Sequence, residues 1–452
     1  MHLRNWAFAL VLACAALSPV GGWSAEPATD TMAATPATAV SRTLLLSPAD
    51  AAKLAISIGD YPEADEILSR VLVKDPSSTE ALFLMGEMNS RQHKYAEAIP
   101  YYRKILVDHP NVVRVRLDLA RALFETNEDD AAEYNFHLAL AAGDLPDTVL
   151  DNVERYLAII RSRQHFVYDV HLGLAPDTNI NSAASSNQVT IFGLPFQLSN
   201  ASQAHSGVGI NGNLDGEYRY DLQPDLRLRT GAALSRLEYP SNPMFDDMQA
   251  RAYVGPQQFF KDGNISVLGV VAERWYGNHP YNTGVGGRLE GQYWLTRQFL
   301  YSGYFEGLST SYRQQPALKG YYLDQASFLD YYLTPSSFVR GTIGGGYQSA
   351  QSDIFENWYY RLGLAYQQEF VYGLTANVAP EVRWWRYFGF NPLFGVHRAD
   401  RQYAVKLSLY KRDFTIFGFA PVVSYTYTRN NSNEELFRFN RNQFELGFTR
   451  QF

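Results

Sequence analysis

The sequence predicts an α-helical N-terminal part followed by a 14-stranded antiparallel outer-membrane β-barrel. Three observations predict this: a secretory signal at the N-terminus, a 34-residue helical repeat behind it, and a long series of alternating strands that ends on an aromatic residue. In the last segment apolar and polar side chains alternate, as in a strand with lipid on one side and a wet lumen on the other. The apolar face carries Phe444, Leu446, Phe448 and Phe452, and the polar face carries Gln443, Glu445, Gly447, Thr449 and Gln451.

Residues 1–25 have the pattern of a secretory signal peptide. Arg4 gives the positive start, and residues 6–17 form an apolar core that is too short to span a bilayer. The only cysteine, Cys14, lies early in this core and in a poor context for lipidation, so we expect a mature chain without cysteine or disulfide. Residues 26–43 are rich in Ala, Thr and Pro and predict a disordered linker.

The overall composition suits a barrel and gives no sign of nucleic-acid binding. The net charge is −7, which offers no electrostatic reason to bind nucleic acid. Aromatic residues make up 14% of the chain, as expected for aromatic girdles at the two membrane interfaces. A mean hydropathy of −0.25 is compatible with membrane insertion, because a barrel strand needs only every second residue to be apolar.

Residues 44–164 contain a repeat. Tyr61 and Tyr95 lie 34 residues apart, as do Ala64 and Ala98, and Pro76 and Pro110. This period, with Ala in the second helix and Pro at its end, predicts tetratricopeptide repeats. A weaker third copy follows around Ala132, and residues 146–163 predict a terminal capping helix.

A repeat domain of this kind has a concave groove that can bind an extended segment of a partner protein. Binding is the preferred interpretation, and a plug or spacer without a ligand is the alternative. By repeat position, the substrate-binding groove is predicted to carry Lys53, Glu80, Phe83, Glu87, Arg91, Arg114, Leu117 and Arg121.

Residues 166–452 predict the barrel, with short and long connections in alternation. Short turns such as Lys261-Asp-Gly-Asn264 belong on the periplasmic side, and longer polar loops belong outside. An even number of strands returns the C-terminus to the periplasm, where the helical domain is also expected. Pro380 and Pro421 fall within strand patterns and predict a bulge or a weak seam, because proline cannot donate to the ladder.

The inner face of the barrel is predicted to mix both signs of charge, with pairs across neighbouring strands and no ring of a single sign that would indicate ion selectivity. The predicted lumen residues are Asp215, Glu217, Arg219, Arg227, Arg229, Arg288, Glu290, Arg361, Glu381 and Arg383.

A short motif directly follows the first barrel strand: Pro176, Asp177, Thr178, Asn179, Ile180 and Asn181. Pro-Asp and the two Asn residues are typical of a turn in which side chains bond their own backbone. With its placement, and with the order of signal peptide, repeats and barrel, the motif resembles the surface lipoprotein assembly modulator (Slam) family. A structural loop and a gate or substrate contact are both open as roles for the motif.

The resemblance implies an outer-membrane translocator that delivers a lipoprotein, or in some cases a soluble secreted protein, to the cell surface. It implies repeats in the periplasm that capture the substrate or its chaperone, with barrel-assembly machinery and outer-membrane lipid as further partners. The long first outer loop, residues 185–204, either folds inward as a plug or contacts a substrate.

Three other functions compete. A polysaccharide export porin also joins repeats to a barrel, and inward aromatics such as Trp294, Tyr304 and Tyr359 could stack on sugar rings. A passive porin leaves the helical domain without a purpose.

An enzyme is not expected. The sequence has no Gly-x-Ser-x-Gly, no His-Glu-x-x-His and no His/Cys cluster, so we expect no cofactor or metal. Asp246, Asp247 and His279 fall in predicted outer loops, where an acidic pair is typical of a solvated surface.

Overall fold

The computed structural model describes residues 46–143, 145–412, 414 and 419–449. The predicted signal peptide and linker, residues 1–25 and 26–43, lie outside the described residues, as does Phe452.

Seven α-helices occupy the described residues before the first strand. Ser47 caps the first helix by accepting from the Asp50 amide at 3.1 Å, and Gly59 ends it with a φ of 83°, a left-handed conformation that suits glycine. The helices are α1 Pro48–Ile58, α2 Tyr61–Lys74, α3 Thr79–Arg91, α4 Tyr95–Asp108, α5 Val113–Glu125, α6 Asp129–Leu140 and α7 Asp147–Arg163.

Small residues let the paired helices approach closely. Ala64, Ala98 and Ala132 are completely buried at equivalent positions of α2, α4 and α6. Gly86 of α3 leaves no room for a side chain, since a Cβ there would lie 2.6 Å from the Tyr102 ring of α4. The 34-residue spacing therefore corresponds to helix pairs that share one packing geometry.

In the described part of the chain, 14 antiparallel strands close into a barrel in sequence order, with β1 hydrogen-bonded to both β4 and β16. The predicted fold class is confirmed. The strands are β1 Phe166–Asp177, β2 Gln188–Ile191, β3 Leu194–Gln197, β4 Gly207–Gln223, β5 Leu226–Glu238, β6 Asp247–Phe260, β7 Gly263–Tyr276, β8 His279–Trp294, β9 Phe299–Tyr312, β10 Gly320–Thr334, β11 Ser337–Gln348, β12 Asn357–Glu369, β13 Leu374–Asn391, β14 Val396–Lys411, β15 Ala420–Ser432 and β16 Phe439–Thr449.

The strands β2 and β3 form a separate hairpin in the loop between β1 and β4. Its turn residues Phe192 and Gly193 have φ values of 51° and 75°. Positive φ at both central positions matches the right-handed twist of the flanking strands. The long first loop is thus partly folded as a hairpin.

The connection between β7 and β8 is shorter than the sequence indicated. His279, expected in an outer loop, is the first residue of β8. It follows a two-residue turn in which Gly277 and Asn278 have φ values of 57° and 63°. Because the turn is so short, β8 begins earlier in the chain than the alternation of apolar and polar residues indicated.

Neither proline shifts the register of its strand, so neither forms a bulge. At Pro380 the ladder between β12 and β13 is interrupted, because the pairs stop at Gly363 opposite Glu381 and resume at Tyr366 opposite Val378, and this corresponds to the weak seam. The register shift of β13 lies further along, between Arg386 and Phe390. Pro421 pairs with Phe448 at the start of β15, where a missing amide interrupts little.

None of the helices among the described residues is both long and apolar enough to cross a bilayer.

Candidate functional site

The predicted groove residues lie on α1, α3 and α5 and bond mainly to one another. Lys53 donates to Glu80 across two helices at 2.6 Å, and Arg91 donates to Glu87 at 2.8 Å. The Lys53 side chain is half exposed, and its hydrogen bond with Glu80 raises the pKa of its ammonium group. These side chains present a surface of mixed charge.

The third helix pair continues this surface. Arg114 donates to Asp118 at 2.8 Å, and the Arg121 guanidinium lies 5.9 Å from the centre of the Tyr95 ring. Burial raises the pKa of the Asp118 carboxyl, against the opposing pull of Arg114 and Arg121. Phe83 and Leu117 are half-buried and pack against the helical core.

The helices α5, α6 and α7 contact the end of the barrel that bears the β8–β9 and β10–β11 turns, which we call the helix-proximal end. Gln298, before β9, donates to the Ala141 carbonyl at 3.0 Å, and Ser336, before β11, donates to Asn111 at 2.7 Å. His137 of α6 stacks on Trp294 of β8 with ring centres 4.6 Å apart. The contacts extend to Arg219 at the end of β4, which donates to Gln164 at 3.3 Å.

These contact points lie far apart around the barrel, from β4 to the turn between β10 and β11. A helical body that contacts both must extend across the helix-proximal mouth. The groove side chains point elsewhere, since Arg114 is 72% exposed while Arg116, two residues on, is buried against the barrel.

A buried charge cluster holds the helices to the barrel. Arg116 of α5 donates to Glu369 of β12 at 2.7 Å, and each side chain is only 2% exposed. Tyr134 of α6 donates to the same carboxylate at 3.0 Å. Arg412, the residue that follows β14 in sequence, also forms an ion pair with it. Asn135 and the Pro110 carbonyl accept from Arg116.

Burial is the main reason that the pKa of the Tyr134 phenol is well above its usual value, and the nearby Glu369 charge adds to this shift. The phenol therefore stays protonated and donates to Glu369. A partly open cavity of about 80 Å³ adjoins this cluster.

The cluster was not anticipated from the sequence, although one signal was present. In the 34-residue alignment Arg116 occupies the position of Leu82, a buried core residue of the preceding repeat. An arginine at a core position needs a buried partner, and here the partner comes from the barrel, 253 positions away.

Polar side chains of the barrel wall form contacts that skip intervening strands, which the concave inner face of a closed sheet allows. Arg229 of β5 lies between Glu217 of β4 at 2.6 Å and Glu290 of β8 at 2.7 Å. Arg288 bonds Glu290 at 2.5 Å and reaches Glu306 of β9 at 3.3 Å.

Arg361 and Arg383, two further predicted lumen residues, form similar contacts. Arg361 donates to the Asp324 carboxylate at 3.2 Å and to the Tyr304 hydroxyl at 2.7 Å. Arg383 pairs with Glu381 within β13, and Asp215 lies opposite Ala233 in the ladder of β4 and β5.

Two predicted lumen residues lie instead near the helical domain. Arg227 is 4% exposed, bonds Asp221 at 2.5 Å and donates to the Arg161 carbonyl of α7. Arg219 bonds both Glu217 and Gln164. Their place at the helix-proximal mouth makes them part of the contact between helices and barrel.

The motif Pro176–Asn181 lies where β1 ends, at the opposite, helix-distal end of the barrel. Two of its polar residues are buried: Asp177 is 5% exposed and Asn179 is 1% exposed. Asp177 accepts from Arg441 of β16 at 2.9 Å and from the Asn179 amide at 2.8 Å. Ile180 is 7% exposed, and Asn181 bonds the backbone near His205, ahead of β4.

The acidic pair is not the solvated surface that was expected. Asp246 is 5% exposed, accepts from the Tyr239 amide at 2.8 Å and accepts from Asn278 at 2.9 Å. Asp247 is the first residue of β6 and pairs with Arg274. Asp246 has a structural partner because the tight β7–β8 turn places Asn278 against it.

Among the described residues, no cluster of three or more His, Cys, Asp or Glu side chains is arranged to hold a metal ion.

Comparisons with known proteins agree on one family. Residues 168–452 match the model of the surface lipoprotein assembly modifier, and residues 74–136 match the model of its N-terminal tetratricopeptide repeats. The chain is 26% identical over 381 residues to surface lipoprotein assembly modifier 1 of Neisseria meningitidis, covering 82% of this chain and 76% of that protein. It is 24% identical over 365 residues to surface lipoprotein assembly modifier 2 of Haemophilus influenzae, with 78% and 74% covered. A surface lipoprotein assembly modifier of Moraxella catarrhalis is 24% identical over 452 residues, with 96% and 86% covered.

Proposed function

Because the chain belongs to the surface lipoprotein assembly modifier family, we propose that it delivers a specific lipoprotein from the periplasm to the cell surface. Besides the family, one structural observation supports the proposal. The helical repeats lie across the mouth of an outer-membrane barrel on the same chain. In this arrangement the helix-proximal end faces the periplasm and the helix-distal end faces the outside.

The repeat groove is the proposed capture site for the substrate or its chaperone. Lys53, Arg91 and Arg114 are half or more exposed, while the opposite side of α5 is buried against the barrel. A captured segment would therefore be held beside the barrel without displacing the docked helices. Barrel-assembly machinery is a further proposed partner, since the substrate or the barrel itself must be accommodated in the membrane.

The alternative of polysaccharide export is not favoured by the geometry of the aromatic residues. Trp294 is covered by His137 of the helical domain. The hydroxyls of Tyr304 and Tyr359 are bonded to Asp324. Rings held in such a network offer less free surface for stacking on sugars.

The test is protease shaving of intact cells that express a lipoprotein encoded beside this gene, with and without the chain. We expect the surface signal to fall at least tenfold without the chain while the total amount of lipoprotein stays constant. Unchanged exposure of every neighbouring lipoprotein would contradict the proposal, and a loss of secreted glycan would then support polysaccharide export.

A groove variant tests the capture step in the same assay. We expect Arg114→Glu with Arg121→Glu to reduce surface delivery several-fold, because the two changes reverse the charge of the groove. The matched control is Arg70→Glu, since Arg70 is 68% exposed on α2 outside the predicted groove. Equal delivery by both variants would exclude the groove as the capture site.

A further inference from the structure

The junction between β1 and β16 differs from every other junction of the barrel. Each other neighbouring pair of barrel strands is consecutive along the barrel chain, whereas β1 and β16 are its first and last strands. Their described pairing runs from His171 opposite Thr449 to Asp177 opposite Gln443. No hairpin can hold these two strands together, so non-covalent contacts must do so.

The family motif supplies such contacts at the extracellular end. Asp177 is clasped by the Arg441 guanidinium, with bonds of 2.5 to 3.1 Å. The Thr178 amide donates to the Asn442 carbonyl at 3.0 Å, and the Asn442 amide donates back to the Thr178 hydroxyl at 2.9 Å. A buried, bidentate ion pair with added hydrogen bonds is stronger than a single surface pair.

The loop behind the motif continues across the junction. The Ser185 amide donates to the Arg438 carbonyl at 2.9 Å, and its hydroxyl accepts from the Asn440 amide at 3.0 Å. Further on, the Thr190 amide donates to Glu435, in the loop between β15 and β16, at 2.8 Å. We call residues 177–190 the seam strap, because they run from β1 over to the β16 side.

The strap is also anchored on the β4 side. The Ile180 amide donates to the His205 carbonyl at 2.8 Å, and Asn181 donates to the Gln203 carbonyl at 2.7 Å. The strand β1 itself pairs with β4 along its whole length, from Phe166 opposite Tyr218 to Asp177 opposite Gly207. The strap therefore joins one firmly paired edge, β1 with β4, to the other edge, β16.

Between its two ends the junction separates lipid from a polar interior. Leu172, Leu174, Leu446 and Phe448 are exposed on the outer face of the two strands. On the inner side, Glu445 bonds His171 of β1 at 2.8 Å. Any group passing between β1 and β16 would have apolar membrane on one side and hydrogen-bonding side chains on the other.

This environment matches a lipoprotein, which joins acyl chains to a polar polypeptide. Acyl chains are strongly disfavoured in a charged lumen and favoured in the bilayer. The periplasmic mouth of the lumen is in addition crossed by α5–α7.

Resting on the proposed function, we propose that the β1–β16 junction is the lateral exit for the acylated end of the substrate. The seam strap is its extracellular hinge. The strands part from the His171–Thr449 side of their described pairing, which faces the arriving substrate, while Asp177 and Arg441 keep the far end together. The motif residues are thus positioning residues that act through the geometry of the junction.

A reversible lock across the junction tests this route. Leu174 and Leu446 lie directly opposite each other, a geometry that a disulfide can span. The single native cysteine, Cys14, lies in the predicted signal peptide, so we expect it to be absent from the mature chain. We expect oxidised Leu174→Cys/Leu446→Cys to lose at least tenfold of its surface delivery and to regain it on reduction.

The matched control locks a hairpin-joined pair. Leu214 of β4 and Leu234 of β5 are also opposite each other, and both are exposed. Oxidised Leu214→Cys/Leu234→Cys should deliver the lipoprotein normally. Normal delivery by the fully crosslinked β1–β16 variant would overturn the lateral exit. If the reduced variant and the unmodified chain also fail to deliver, the proposed function itself fails and the exit with it.

A third lock separates the lateral route from the lumen. Asn111→Cys/Ser336→Cys fixes the helices to the β10–β11 turn, since the native side chains are hydrogen-bonded at 2.7 Å. Delivery should continue in this variant, because the groove and the β1–β16 junction remain accessible. Blocked delivery here, together with normal delivery when the junction is locked, would assign the route to the lumen.

The strap is tested by Asp177→Asn, which keeps the size of the side chain and removes its charge. We expect the barrel of this variant to lose its folded electrophoretic mobility at a temperature several degrees lower. Adding the oxidised Leu174–Leu446 crosslink should restore the temperature. An unchanged temperature in Asp177→Asn would remove the strap from the proposal.

Discussion

At the scale of single residues, Arg116 shows how a repeat protein is adapted to a membrane partner. Its position belongs to the helical core in the preceding repeat, where Leu82 is buried. In α5 the same position carries a charge that the barrel neutralises through Glu369. Since an unpaired buried charge is very unfavourable, this cluster ties the folded position of α5 to the presence of the barrel.

We predict that Arg116→Met weakens the attachment of α5 and α6 to the barrel by about 1–3 kcal/mol, because Glu369 keeps Tyr134 and Arg412 but loses one partner. Amide hydrogen exchange of α5 and α6 in the detergent-solubilised protein would measure this as faster exchange. Arg114→Met is the control, since its partner Asp118 lies one turn away on the same helix. That change should cost no more than about 0.5 kcal/mol, and equal effects of the two variants would contradict the importance of the cluster.

A pH effect is expected at Asp118, whose pKa is raised by burial. A carboxyl with a folded pKa above its unfolded value holds its proton more tightly in the folded state. The helical domain therefore loses stability at this site as the pH rises from the unfolded pKa through the folded one, and the loss persists above it.

Asp118→Asn should remove that step. Thermal unfolding followed by circular dichroism at 222 nm between pH 3.5 and 7 should show that the stability of the variant, relative to the unmodified chain, increases as the pH rises. If the stability of the variant relative to the unmodified chain decreases as the pH rises, the raised pKa of Asp118 is contradicted.

At the scale of helices and strands, periodicity carried most of the prediction. The 34-residue spacing located helix pairs, and the alternation located the strands, because both patterns repeat locally. The β7–β8 turn was missed because Gly277 and Asn278 allow a two-residue connection in a region rich in polar residues. The Arg116–Glu369 contact had no periodic signal, since it joins two residues that are distant in the chain.

The groove residues and the lumen residues remain predictions about function. Their positions in the folded chain are compatible with those roles, yet a mixture of paired charges also stabilises an interior without any ligand. Arg227 illustrates the difficulty, since alternation alone cannot distinguish a lumen side chain from one buried beneath α7.

The close approach of α3 and α4 gives a prediction at this scale. Gly86→Val should destabilise the helical domain by about 1–3 kcal/mol, because its side chain would overlap the Tyr102 ring. The melting midpoint at 222 nm would report the loss. Ser69→Val on the exposed face of α2 is the control, and it should change stability by no more than about 0.5 kcal/mol.

At the scale of the whole molecule, the helices and the barrel are one unit with a covered mouth. The contacts reach from β4 to the end of β12, so we expect the helices to limit access to the lumen at the helix-proximal end. This arrangement distinguishes the chain from a passive porin, whose mouth must remain open.

Planar-bilayer recordings provide the corresponding prediction. The unmodified chain should show low conductance, and Arg116→Met combined with Tyr134→Phe should raise it several-fold, because both changes weaken the hold on Glu369. Arg114→Met should leave the conductance low. A large and steady conductance in the unmodified chain would contradict a covered mouth.

The long separation between Arg116 and Glu369 also has a consequence in time. The repeats contain mostly local contacts and can fold while the rest of the chain is still arriving, whereas the barrel closes only when β16 meets β1. The Arg116 side chain therefore stays solvated until β12, which ends with its partner Glu369, is in place. The helices therefore dock late, only after the barrel strands have assembled. An incompletely folded barrel has no helices across its mouth and no repeat groove positioned there.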